Sequence, residues 1–310
     1  MPSRSPSTRR VETVRKRPPT KRPAAQRPIS ASRELVHLPE LPAGQPEEDI
    51  RFSDVDEWGR SERMRQVART VYDPIYRHWF RAEWEGLEKI PAKGGALLVA
   101  NHAGAIPSDA PVIMHGIETE LGRPVYGLAD YFFRKAPVIG TLWSRLGGVP
   151  AHPDNAERLL ADQGQLVLVF PEGTKGPSKN YRDRYQLRRF GRGGFVEIAM
   201  RAGVPVIPIA VVGAEESMPI VARLPNAAKA LGIPYLPVTA NMLALGPLGI
   251  GAYFPAKFKL RVLDPVRFDV QPGRDRYSRS RVMDESEAIR ERIQSALYDM
   301  LRARRSVWFG

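Results

Sequence analysis

His102 and Asp109, in the segment NHAGAIPSD, are the residue types that a proton-transfer site needs. A carboxylate that fixes the tautomer of an imidazole frees the other ring nitrogen to take a proton from an attacking hydroxyl, and no protein nucleophile is then required. The chain has no cysteine and no GxSxG elbow, so neither a thiolate nor a hydrolase-type serine competes for that role. On a continuous helix, residues seven apart lie about 10 Å apart along the axis, out of hydrogen-bond reach. Pro107 argues against that geometry. A turn from Gly104 to Pro107, with Ser108 as N-cap and Asp109 in the first helical turn, folds the carboxylate back on the imidazole. Taken alone, such a pair reads equally well as a structural contact.

Two later segments add polar groups at the ends of apolar runs, where α/β sheets place their chemistry. QLVLVF runs into Pro171, Glu172, Gly173, Thr174, Lys175 and Gly176, which suits a polar binding loop. VPVIPIAVVG carries Pro205 and Pro208, and proline inside a strand implies an edge or irregular position that could shape a cleft wall. The remaining histidines, His37, His78 and His115, have no ligand set around them, and His152 is ambiguous, so no metal site is expected.

Positioning these groups requires a sheet. ALLVA (96–100), VYGLA (125–129), QLVLVF (165–170), VPVIPIAVVG (204–213) and KFKLRVL (257–263) are short apolar runs. They alternate with helical patterns at 155–163, 192–202 and 284–303, the last opening with Asp284 and Glu287 at capping-box spacing. The expected fold is α/β: a single domain over residues 50–305, with a central mixed, largely parallel sheet flanked by helices. Ahead of it, residues 61–84 read as a helix with Met64, Val67, Ala68, Val71, Tyr72, Ile75, Tyr76 and Trp79 on one broad apolar face. Pro74 could kink that helix. Its aromatic and arginine content suits a membrane interface and suits packing on a core equally well.

Charge and hydropathy bear on partners. The net charge of +13 predicts attraction to something acidic. Ten Arg and Lys against the single acid Glu12 fall within residues 1–33, a Pro- and Ser-rich stretch without apolar period, so residues 1–49 are expected to be a disordered basic tail and linker. That tail reads as solvated or as an electrostatic anchor for an anionic membrane surface. It lacks interleaved aromatics and no nucleic-acid motif follows it, so nucleic acid ranks low as a partner. Between Lys229 and Lys257 there is no charged residue, but Pro234, Pro237, Pro247 and Pro255 oppose a continuous spanning helix. The stretch 230–256 reads as a monotopic dip, an acyl-chain groove or a buried loop, with Leu243, Leu245, Leu248, Ile250 and Phe254 as candidate acyl or membrane contacts. The basic run 175–194 suits a phosphate, a coenzyme A nucleotide, an anionic lipid or plain solvent exposure.

In order, NHAGAIPSD, FPEGTKG and VPVIPIAVVG resemble the motifs of the glycerolipid acyltransferase family, which includes the lysophosphatidic acid acyltransferases; the similarity covers roughly residues 80–270. The resemblance implies an O-acyltransferase that moves a fatty acyl group from an acyl thioester to a glycerolipid hydroxyl without a covalent enzyme intermediate. His102 matches the family's catalytic base and Asp109 its partner, at a spacing of six intervening residues where the family motif NHxxxxD has four. Glu172, Gly173 and Thr174 match the acceptor-binding block, with Lys175 where an Arg is common. The second motif, GxxFxR, departs: Gly147 to His152 supply neither the Phe nor the Arg, which puts lysophosphatidic acid in doubt as acceptor. Arg145, Lys175, Lys179 or Arg182 could supply the missing charge, or the acceptor could be a mono- or diacylglycerol. The implied partners are acyl-CoA or acyl carrier protein as co-substrate, a glycerolipid acceptor and the cytoplasmic face of a membrane, held peripherally or monotopically, with no resident cofactor. A non-catalytic lipid-binding or tethering protein is the reading from another class.

Overall fold

The predicted strands line up side by side in the computed structural model, which describes residues 54–129, 137–233, 235–274 and 276–310. These belong to one compact unit, Asp49–Gly310. The tail and linker expected at 1–49, with His37, lie outside the described residues.

In chain order, helix α1 (Glu62–Pro74) runs on as a π turn (Ile75–Trp79) into strand β1 (Glu83–Glu85), then β2 (Ala96–Ala100). Helix α2 (Asp109–Leu121), β3 (Val125–Ala129), α3 (Pro137–Arg145) and β4 (Gly148–Pro150) follow. Next come α4 (Pro153–Glu157), β5 (Leu166–Val169), α5 (Gly194–Ala202), β6 (Val206–Val212) and α6 (Ala214–Ser217). The chain ends with β7 (Ile220–Arg223), α7 (Pro225–Ala230), β8 (Pro237–Thr239), α8 (Ala240–Leu245), β9 (Lys259–Val262) and α9 (Arg279–Ala303). Among the described residues, seven strands form one sheet in the order β1-β9-β6-β2-β5-β3-β4, and β7 with β8 forms a small hairpin. The five strands from β6 to β4 are mutually parallel, while β9 pairs antiparallel to β6 and parallel to β1.

Alternation along the strands divides the core in two. Leu97 and Val99 of β2 face a layer made with α5 and α9, whereas Ala96, Leu98 and Ala100 face a layer made with α2 and the end of α1. Both faces are covered, which is why the strands read as unbroken apolar runs.

Four expectations change. The helix expected over 61–84 stops at Trp79. Phe80 is fully buried and the Glu83 N–H donates to Phe258 O, so the chain is drawn into the sheet and Trp84 lies on a strand. The expected single apolar face of α1 is split. Tyr76 turns inward, while Met64, Val67, Val71, Ile75 and Trp79 point to solvent. The inward side also carries Arg65, whose Nε donates to Glu118 Oε2 at 2.8 Å, and Asp73, which meets His115 Nε2 at 3.2 Å. Pro208 sits in the central strand β6, not at an edge. Its missing N–H would point toward β9 where that ladder breaks, between the Ile209–Val262 pairing and the Val206–Val266 bridge, so no hydrogen bond is lost. Helix α9 also begins at Arg279, ahead of the Asp284 start expected from its capping spacing.

Candidate active site

His102 follows the C-terminal end of β2, and the neighbouring Asn101 fixes that end: its side-chain amide exchanges two hydrogen bonds with the Val211 main chain of β6 (3.0 and 2.8 Å). The chain then turns through Gly104, whose φ of +84° is the left-handed region that glycine adopts without strain. This turn brings Asp109, in the first turn of α2, back onto His102. Asp109 Oδ2 lies 2.9 Å from His102 Nδ1 and accepts the Ala103 N–H at 2.8 Å, while Oδ1 accepts the Ala110 N–H at 2.8 Å. The carboxylate is fully buried in the first turn of α2.

The imidazole is held on three sides. Asp109 takes Nδ1, the Phe170 ring stacks on the imidazole face with centroids 4.1 Å apart, and Gly176 packs against its root. A Cβ at Gly176 would stand 2.7 Å from both His102 Cβ and His102 O, so only glycine fits there. The contact with Asp109 engages Nδ1 and does not involve Nε2. Tyr235 and Tyr253 stand around the same carboxylate, their hydroxyls pushed up to about 12 by burial and then by the Asp109 charge, so they stay neutral.

The Glu172–Lys175 block divides in role. Glu172 is buried, and its two oxygens accept the main-chain N–H of His102 (3.1 Å) and of Arg188 (2.8 Å). Lys179, also buried, sits 3.4 Å from Glu172 and 3.1 Å from Glu215. Glu172 therefore fixes the His102 main chain and ties it to that of Arg188. Gly173, Thr174 and Lys175 form an exposed turn beside it. Arg145 is not brought to the site. It ends α3 ahead of β4, at the opposite edge of the parallel strands from His102, and its guanidinium donates to Gly59 O. Lys179 is occupied by its two carboxylates, and Arg182 is exposed.

Ser108 begins α2 as expected, but its hydroxyl bonds Ser217 Oγ at 2.9 Å instead of capping the helix. His152 caps α4 by accepting the Asp154 N–H. Among the described residues, no group of three His, Asp or Glu side chains is placed to hold a metal ion. Leu243, Leu245, Leu248 and Ile250 are exposed, Leu248 to 81%, and Phe254 is half-buried against Trp308. Sequence reasoning missed Phe170 and the supporting contacts of Asn101 and Gly176, and it offered Lys179 for a phosphate where the fold pairs it with Glu172 and Glu215. Phe170 and Gly176 flank the block it did identify, but nothing in their type announces a contact with His102.

Residues 81–212 match the family described as Acyltransferase. An uncharacterised protein of Mycobacterium tuberculosis (strain ATCC 25618 / H37Rv) is 36% identical over 259 residues, which is 83% of this chain and 72% of that protein. The Homo sapiens DGAT1/2-independent enzyme synthesizing storage lipids is 30% identical over 145 residues, 47% of this chain and 44% of that enzyme. Among solved structures, the 1-acyl-sn-glycerophosphate (LPA) acyltransferase PlsC from Thermotoga maritima aligns with a TM-score of 0.50 at 22% identity, covering 78% of this chain and 80% of its own, a likeness of fold.

Proposed function

We propose that this chain, which belongs to the acyltransferase family, moves a fatty acyl group from an acyl thioester to a glycerolipid hydroxyl, with His102 as general base and Asp109 as its orienting partner. The observation that carries this reading is the 2.9 Å contact between His102 Nδ1 and a carboxylate that has no exposed surface. The acceptor hydroxyl gives its proton to Nε2 as its oxygen attacks the thioester carbonyl. The tetrahedral intermediate collapses with cleavage of the C–S bond and formation of the ester, and the proton on Nε2 passes to the leaving thiolate. The imidazolium that forms in between is stabilised by Asp109. Acyl transfer is direct: the chain has no cysteine, and Ser108, the serine nearest in sequence to Asp109, is buried against Ser217. The thioester is a co-substrate, not a resident group.

The same reading places the protein on a membrane surface. Helix α1 turns charged and polar groups inward and leaves Met64, Val67, Val71, Ile75 and Trp79 in solvent, the reverse of a helix that packs on a core in water. The Trp79 indole donates to Tyr253 O at 3.0 Å, which joins this stripe to the segment bearing the exposed Leu243, Leu245, Leu248 and Ile250. No described helix is long and apolar enough to cross a bilayer, so the contact proposed is with one leaflet.

The test is to incubate the purified chain with labelled acyl-CoA and a panel of lysophospholipids, monoacylglycerols and diacylglycerols. Acylated lipid should form, and His102→Ala should lower its rate by about 10²-fold to 10⁴-fold, the range for a general base. Equal activity of the variant, or release of free fatty acid alone, would defeat this reading.

A further inference from the structure

A cluster of buried charged groups lies beside His102, and the proton transfer proposed above uses none of them. Glu172 and Lys179 come from the loop after β5, Glu215 and Glu216 from α6, and all four are buried. Arg304, just after α9, pairs with Glu216 at 2.9 Å. Among the described residues, that pairing leaves Lys179 as the cation that Glu172 and Glu215 have between them. Its ammonium stands 3.4 Å from Glu172 Oε2 and 3.1 Å from Glu215 Oε1, with Gln186 O at 3.4 Å. One lysine thus serves two carboxylates.

The two carboxylates hold different parts of the chain. Glu172 accepts the His102 N–H through Oε1 and the Arg188 N–H through Oε2. Glu215 accepts the N–H of Tyr185, whose φ of +59° lies in the left-handed region that a tyrosine rarely adopts. A narrow cavity lined by Gly104, Gly176, Lys179 and Glu215 connects them with the turn around His102. An ion pair built for stability alone needs one cation for each acid. Here the cations fall short, and a buried carboxylate without a cation goes over to its neutral acid. Burial pushes Glu215 up to about 7 from 4.5; Lys179 and the Tyr185 N–H oppose the rise, and Glu216 adds to it. The other groups facing it, Tyr181 and Tyr185, are phenols that burial holds neutral. While Glu215 is neutral, the whole charge of Lys179 is left to Glu172.

We infer that Lys179 is a positioning residue for His102: its charge, shared with Glu215, keeps Glu172 in the form whose two oxygens accept both main-chain N–H groups. Resting on the proposed acyl transfer, the inference adds a residue that acts through the His102 main chain without touching the reacting atoms. A protonated Glu172 would turn a hydroxyl donor toward one of those N–H groups, and that bond would be lost. The main chain at His102 would then be free to shift, and a misplacement of about 1 Å at a reacting group costs about 10²-fold in rate.

Two measurements test it. In the first, amide hydrogen exchange is followed by NMR in the wild-type chain, Lys179→Met and Lys179→Arg. This arm needs no activity and decides alone if the wild type forms no acylated lipid. Lys179→Met should speed exchange at the His102 and Arg188 N–H groups about tenfold more than in the middle of β2, while Lys179→Arg, which keeps the charge, should largely restore the wild-type rates. In the second, kcat and KM are read by thiol release. Lys179→Met should lower kcat by about tenfold to 10²-fold and leave KM within about threefold. Glu215→Gln removes the competing acid, so the ratio of its kcat to that of the wild type should rise about twofold or more between pH 6 and pH 8, where Glu215 ionises. Adding Glu215→Gln to Lys179→Met should not restore kcat, because Glu172 still lacks its cation. This double variant strands no charge on Glu215 and serves both measurements where Lys179→Met alone does not fold. Recovery of kcat in the double variant would mean that Lys179 only neutralises Glu215, and would overturn the inference. So would unchanged exchange at His102, a loss confined to KM, or a Glu215→Gln ratio that does not change with pH.

Discussion

Replacing Asp109 by Asn keeps its shape and removes its charge. Asp109 now accepts three N–H groups: Oδ2 takes His102 Nδ1 and Ala103 N, and Oδ1 takes Ala110 N. An amide has one acceptor oxygen, so its NH₂ must oppose at least one of these donors. If the oxygen stays on His102, the loss is one charge-assisted hydrogen bond to the imidazolium, about 1.5–3 kcal/mol, or about 10-fold to 150-fold in rate. If the NH₂ turns to Nδ1, it selects the tautomer whose Nε2 carries the proton and cannot act as a base; the same replacement in a Ser-His-Asp triad costs about 10⁴-fold. The expected fall in kcat is therefore between about 10-fold and about 10⁴-fold, depending on which way the amide turns. The assay is thiol release from acyl-CoA read with a thiol-reactive dye, and a chain with no cysteine contributes no background. Because the two residues act as one unit, His102→Ala combined with Asp109→Asn should be no slower than His102→Ala alone. A kcat for Asp109→Asn within threefold of wild type, or a double variant that loses the product of the two single losses, would refute the pairing as a catalytic device.

Gly176→Ala should lower kcat without abolishing folding, because a methyl group 2.7 Å from His102 Cβ displaces the imidazole from Asp109; thermal melting alongside thiol release checks both parts. Burial pushes the Glu215 carboxyl up to about 7 from 4.5, with Lys179 partly opposing, so between those pH values the folded chain binds more protons than the unfolded one. Stability contributed by this group falls as pH rises from 4.5 to 7, and Glu215→Gln should flatten that part of the melting temperature's pH profile; an unchanged slope would count against it. Glu118→Ala strands Arg65 and Arg60 without their buried carboxylate and should cost about 3–5 kcal/mol in urea unfolding. Val71→Glu with Leu248→Glu should reduce sedimentation with phosphatidylcholine–phosphatidylglycerol vesicles while leaving the melting temperature near wild type, since both side chains are exposed.

The parts of the candidate site were legible because they depend on residue type and local order. His102, Asp109 and the Glu-Gly-Thr block stand at the ends of apolar runs, and those runs are strands because both faces of the sheet are covered. The predicted runs at 96–100, 125–129, 165–170, 204–213 and 257–263 each contain a strand of the sheet, within a residue or two at each end. Other features depended on what a residue meets across the fold. The three-residue strands β1 and β4 are too short to show a period, and exist only because β9 and β3 offer them an edge. Arg145 looked available for a phosphate until the direction of the parallel strands put it at the far edge from His102. Nothing near Glu172 in the sequence showed that its two oxygens hold the main-chain N–H groups of His102 and Arg188. Periodicity showed α1 to be amphipathic but not which side faces in. That was decided by Glu118 and His115 on α2, which draw Arg65 and Asp73 inward and leave the apolar stripe exposed. Composition and pattern thus determine which groups can react and which segments extend or coil, while partners distant in sequence decide which way those groups face.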